Sequence, residues 1–150
     1  TAEIAVARGR LDDLFGQAVL PVFVPPWNRI DPCVASLLPA LGFTGLSCFR
    51  DFSLGPAGGP ILANTHLDIM DWHGGRVGRQ PAELIAEMCA MLAARRADPG
   101  ADDRFGLLMH HRDHDDTAWG FLAGFLHHAV RHPAVTRADP RQLFSPAAAV

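Results

Sequence analysis

Short unbroken apolar runs at residues 20–24, 61–63 and 105–109, and a further strand-like segment at 44–49, are separated by stretches in which apolar side chains recur every three or four positions. Unbroken runs of this length are typical of strands buried on both faces, and the wider spacing is that of a helix with one inward stripe. Helix is expected over residues 2–18, with Ile4, Leu11, Leu14, Phe15 and Ala18 near one side. A second helix is expected from Asp31 as N-cap and Pro32 at the first position, through Leu37, Leu38 and Leu41, to a stop at Gly42. A third restarts at Pro81, with Leu84, Ile85, Met88, Cys89 and Leu92 as its inner stripe and Arg95 and Arg96 complementing its carboxyl end. A fourth is capped near Asp115 or Asp116 and striped by Trp119, Leu122, Phe125, Leu126 and Val130. A weak strand at 134–136, a turn to Phe144 and a disordered tail over 146–150 close the chain.

Helix and strand thus alternate, which predicts an α/β fold with a parallel sheet. Right-handed crossovers place the carboxyl ends of such strands on one side, where α/β folds bind their ligands. Three apolar runs open there onto reactive side chains: Pro25-Pro26-Trp27-Asn28-Arg29, Asn64-Thr65-His66-Leu67-Asp68 with Asp71-Trp72, and His110-His111-Arg112-Asp113-His114. A shared rim for Arg29, Asp68 and His110 is the central expectation.

Composition narrows the functions this rim can serve. With about half of its 150 residues apolar, the chain can build a real core, but no run is long enough to span a membrane. All 13 basic residues are Arg, and a net charge of −3 gives no broad positive field, so nucleic acid is not an expected partner. No signal peptide is visible, which leaves the compartment open with a lean to the cytoplasm. Cys33, Cys48 and Cys89 are too few and too scattered for a disulfide framework and are expected to be buried thiols.

His110, at the end of a buried strand, is the candidate general acid or base, with a nearby carboxylate to fix its tautomer. Asp68 is that kind of group, in a segment whose interleaved polar and apolar positions suit a loop. Trp72 can wall a pocket or stack on a sugar ring. The two prolines stiffen the turn that presents Trp27, Asn28 and Arg29. Adjacent rings such as those of His110 and His111 do not readily converge on one ion, so no metal ligand is assigned to this chain. His127, His128 and His132 fall at a helix end and read as surface residues.

In this order, Phe23-Val24-Pro25-Pro26-Trp27-Asn28-Arg29, Asn64 through Trp72, and Gly106-Leu107-Leu108-Met109-His110-His111 resemble the later motifs of the polysaccharide deacetylase family, the NodB-homology or carbohydrate esterase family 4 group. The resemblance covers residues 1–145 and implies part of a distorted (β/α) barrel lacking its amino-terminal strands. It implies a hydrolase that removes acetyl groups from carbohydrate amides or esters with a divalent metal, zinc foremost. His110 would protonate the leaving amine, Asp68 would orient the assembly, Leu108 and Trp72 would line the acyl pocket, and Trp27 and Asn28 would form a wall. Val24 stands where the family has an Arg, a place Arg29 would take over from across the turn. Before Pro25 there is no His, and the only adjacent carboxylates, Asp12 and Asp13, fall in an expected helix, so the family's Asp pair and His-x-x-x-His metal motif find no counterpart there. The chain is therefore expected to be inactive alone, and to recruit a missing amino-terminal half or self-associate through open strand edges. A degenerate barrel that only binds carbohydrate is the alternative.

Overall fold

The computed structural model of the chain describes residues 2–55, 59–98, 100 and 102–145, so the expected tail at 146–150 lies outside them. The fold is mixed α/β, in two compact units: Thr1–Asn64 with Ala138–Val150, and Thr65–Arg137. Among the described residues, no helix is long and apolar enough to cross a membrane.

The first unit runs α1 (Ala2–Phe15), β1 (Val22–Phe23), α2 (Pro32–Ala35), β2 (Gly45–Leu46) and β3 (Ile61–Leu62). Its three strands form one parallel sheet in the order β1-β2-β3, with Val22 opposite Gly45 and Leu46 opposite Leu62. Asp31 caps α2 by accepting the Cys33 N–H, Pro32 opens the helix, and Gly42 closes the segment in the left-handed conformation, all as the sequence indicates. The helical stretch is broken, however, into α2 and a 3₁₀ turn at Pro39–Leu41. Leu38 faces the core with Ala35, Phe43, Leu46 and Cys48, whereas Leu37 is exposed. The stripe expected on α1 is not buried; Ile4 alone of that set packs against this core.

Asn64 ties the strand ends together. Its side-chain oxygen accepts the Cys48 N–H at 3.0 Å, and its amide donates to the carbonyls of Arg50 and Phe52 at 2.9 Å each. At residues 134–136 there is no strand, because that segment pairs with no other; the short helix α5 (Pro140–Leu143), capped by Asp139, stands where a turn was expected. Behind it, the ring of Phe144 occupies the space a Cβ on Gly45 would need, 2.5 Å away.

The second unit comprises β4 (Leu67–Asp68), β5 (Met70–Asp71), β6 (Val77–Gly78), α3 (Pro81–Ala97), β7 (Leu107–Leu108) and α4 (Asp116–Ala129). Residues 67–71, expected as loop, are two strands: β4 pairs parallel with β7, and β5 pairs antiparallel with β6. A hydrogen-bonded bend at Ile69, which accepts the Arg79 N–H at 3.0 Å, separates the two. The core is Leu67, Ile69, Met70, Leu84, Ala118 and Phe121. On α3 only Leu84 is fully buried, and Ile85, Cys89 and Leu92 are exposed, so the inner stripe is narrower than its spacing suggests. Likewise Trp119 and Leu126 of α4 and Val130 just past its end are exposed, while Phe121 is buried.

Candidate functional site

The β4–β7 ladder builds the site. Its register sets Leu67 opposite Leu107 and Asp68 opposite Leu108. Leu67 and Ile69 point into the core, so alternation turns Asp68 to the other face. His66 locks the start of the ladder: its backbone N–H donates to the Gly106 carbonyl at 2.7 Å and its Nδ1 accepts the Gly106 N–H at 3.0 Å. Two residues past Leu108, His110 meets Asp68, with Nε2 at 3.4 Å from Asp68 Oδ2.

Trp72 completes the group. Its indole N–H donates to the same Oδ2 at 2.9 Å, and its ring meets that of His110 edge to face, centroids 4.6 Å apart. Asp68 Oδ1 accepts the Met70 N–H at 3.0 Å. Both carboxylate oxygens therefore hold N–H donors, which fixes the carboxylate plane. The side chains of His110 and Asp68 stay 26% and 19% exposed, enough to reach a ligand. Arg79 braces the arrangement from behind, donating to the Asp68 carbonyl at 3.0 Å while pairing with Glu87 of α3 at 2.5 Å.

A carboxylate can only accept, so Asp68 favours the His110 tautomer with its proton on Nε2. Nδ1 then carries the lone pair and has no hydrogen-bond partner among the described residues. The inner nitrogen is thus held while the outer one is left open to a ligand.

The turn after β7 holds His110 from the backbone side. Its carbonyl accepts the Asp113 N–H at 2.7 Å, and its own N–H donates to His114 Nε2 at 2.9 Å. Burial, followed by the nearby His110 and His111, lowers the His114 pKa below the ordinary 6.5. Asp115 caps α4 as expected, accepting the N–H groups of Ala118 at 2.9 Å and Gly78 at 3.0 Å, and these bonds hold its carboxyl below the usual range. Arg76, at φ 59°, pairs with Asp113 at 3.1 Å and sets its guanidinium 5.5 Å over the Trp72 ring.

The Pro-Pro-Trp segment belongs to the first unit. Pro26–Asn28 forms a 3₁₀ turn closed by the Asn28 N–H donating to the Pro25 carbonyl at 2.9 Å. After the two prolines Trp27 and Asn28 stand at positive φ, 59° and 53°, a conformation bulky residues rarely hold. Trp27 is 85% exposed, Asn28 is buried, and Arg29 is exposed with no side-chain hydrogen bond among the described residues.

Of the expected site residues, Asp68, Trp72, Leu108 and His110 are thus brought together within the second unit, and Trp27, Asn28 and Arg29 lie in one turn of the first. The thiol expectation is corrected: Cys48 is buried, and its pKa is pushed up to about 11, but Cys33 and Cys89 are exposed. They sit on helices that bury only a narrow stripe. Among the described residues no three His, Cys, Asp or Glu side chains converge as a metal site. A comparison with protein-family models, curated proteins and solved structures finds no match to this chain.

Arg76 and the backbone role of His114 were not legible as site features. Arg76 lies in a Gly-rich stretch that reads as a plain turn, and only the positive φ that aims it back at Trp72 reveals it.

Proposed function

We propose that this chain carries the acid–base part of a polysaccharide deacetylase-like hydrolase acting on acetylated carbohydrate amides or esters. The observation that supports it is the Asp68–His110 contact, buttressed by the Trp72 indole and lying beside Leu108. In this reading a protonated His110 delivers its Nδ1 proton to the leaving nitrogen as the C–N bond breaks. Asp68 stabilises the imidazolium before the transfer and keeps the ring oriented, and Leu108 and Trp72 offer apolar surface to the acyl methyl. A positioned acid of this kind contributes roughly 10²–10⁴ in rate.

The distorted (β/α) barrel belongs to the same proposal, as do the zinc ligands, which another segment or partner supplies. The described residues provide no step that activates water, so the chain by itself is expected to be inactive. Acetate release from N-acetylated chito-oligosaccharides, measured on the protein as its gene encodes it with zinc present, tests the reading. His110→Ala should lower turnover at least about tenfold. Unchanged turnover removes His110 from the mechanism, and acetate release by the isolated chain contradicts the division of labour.

One observation favours a second reading, a carbohydrate-binding module without catalysis. Trp27 is held in a strained backbone conformation with its ring in solvent, a placement suited to stacking on a sugar. Calorimetric binding of chito-oligosaccharides that survives a chelator and is lost in Trp27→Ala supports it; no binding in either protein rejects it.

A further inference from the structure

We propose that His114 is a positioning residue for His110: its neutral imidazole, protonated on Nδ1, accepts the His110 backbone N–H and sets where the His110 ring meets Asp68 and Trp72. A backbone N–H can only donate, so at 2.9 Å the His114 Nε2 must present its lone pair. The ring proton is then on Nδ1, and this atom is buried without a hydrogen-bond partner among the described residues. Buried polar atoms are almost always satisfied, and an exception calls for a reason. Here the reason is the job done by the opposite nitrogen. The ring is wedged edge to face against Trp119 of α4, centroids 4.6 Å apart, so it cannot easily turn to exchange its two nitrogens.

Protonation would place a second N–H on Nε2, facing the His110 N–H donor, and the bond would be lost. Burial opposes that charge, as do His110 at the end of β7 and His111 in the turn; Asp113 and Asp115 favour it, and Trp119 on the packed helix is uncharged. The balance extends the neutral form of His114 to lower pH than a free imidazole keeps it. Further acidification releases the His110 backbone, giving the site an acid limit set by a residue that never touches the substrate. This catalytic consequence rests on the reading of His110 as the acid–base group; the hydrogen bond and the tautomer do not.

Long-range ¹H–¹⁵N correlation of the histidine rings tests it without any substrate. At about pH 8 the His114 ring should report a proton on Nδ1, and on stepwise acidification the His110 amide resonance should move in step with the His114 ring. His114→Gln, whose side-chain oxygen can accept in place of Nε2 and does not titrate, should keep the His110 amide shift and remove that step. His114→Phe should keep the Trp119 contact but speed exchange of the His110 amide roughly tenfold. An Nε2-protonated His114, or an amide step that persists unaltered in His114→Gln, overturns the proposal. Failure of the deacetylase reading would leave each of these readouts unchanged.

Discussion

Removing the Asp68 carboxylate should destabilise the second unit and free Trp72. In Asp68→Ala, the Met70 N–H loses its acceptor at 3.0 Å, the Trp72 indole N–H loses its acceptor at 2.9 Å, and His110 loses its 3.4 Å contact. A hydrogen bond to a charged group contributes about 1.5–3 kcal/mol, so the two shorter bonds set a ceiling of about 6 kcal/mol. Water reaches a side chain that is 19% exposed, and the third contact is long, so about 3 kcal/mol is the expected loss. Asp68→Asn should be nearly as costly. Its oxygen can serve Met70, but its NH₂ then faces the indole N–H, donor against donor, for a loss of about 2 kcal/mol. Urea unfolding with an unchanged slope measures the loss, and the Trp72 indole ¹H–¹⁵N resonance identifies its site. Both variants within about 0.5 kcal/mol of wild type, with that resonance unmoved, would refute the reasoning.

Three further outcomes follow from the same geometry. Gly78→Ala would put a Cβ 2.4 Å from the Ala118 nitrogen and 2.7 Å from Asp115 Oδ1, so it should cost about 1–3 kcal/mol by overpacking and speed hydrogen exchange at Ala118; wild-type exchange and stability would contradict this. Because the His114 pKa is lowered on folding, its neutral form contributes stability that is complete above the ordinary value of 6.5 and declines as pH falls from there to the depressed folded value. Urea midpoints should fall over that window in wild type and fall less in His114→Gln. A disulfide reagent should label exposed Cys33 and Cys89 in the folded protein and reach Cys48 only on unfolding, since that thiol is buried with its pKa pushed up to about 11.

What the sequence disclosed was mainly local chemistry. Asp31, Gly42, Pro81 and Asp115 announce helix ends because each satisfies or spares a terminal backbone group where it stands, and all four do so in the structure. The meeting of Asp68 with His110, 42 positions apart, was expected with Asp68 in a loop past the 61–63 run; it comes about instead because Asp68 lies on a strand, β4, that pairs with β7. Strand length did not follow, since apolar runs extend beyond the two-residue ladders that actually pair. Residues 67–71 read as loop because Asp68 and Asp71 interrupt the apolar pattern, yet each carboxylate binds backbone N–H groups nearby and lets a strand turn. Exposed Cys33, Ile85 and Leu92 show the limit of helical spacing: it tells which side chains share a face, not how wide a strip the neighbours cover. Arg76 depends on one left-handed backbone conformation, and the tautomer of His114 on one hydrogen bond across a turn. Neither has a spacing signature.

The site reading is tested most directly by titrating the isotopically labelled protein with a short N-acetylated chito-oligosaccharide in the presence of a chelator. Shifts concentrated at His110 Nδ1, the Trp72 indole and the Leu108 methyl groups, weaker with the deacetylated oligomer, are the expected result. Saturating ligand that leaves those three signals in place, or moves only resonances far from them, would contradict an acid–base site built on Asp68 and His110.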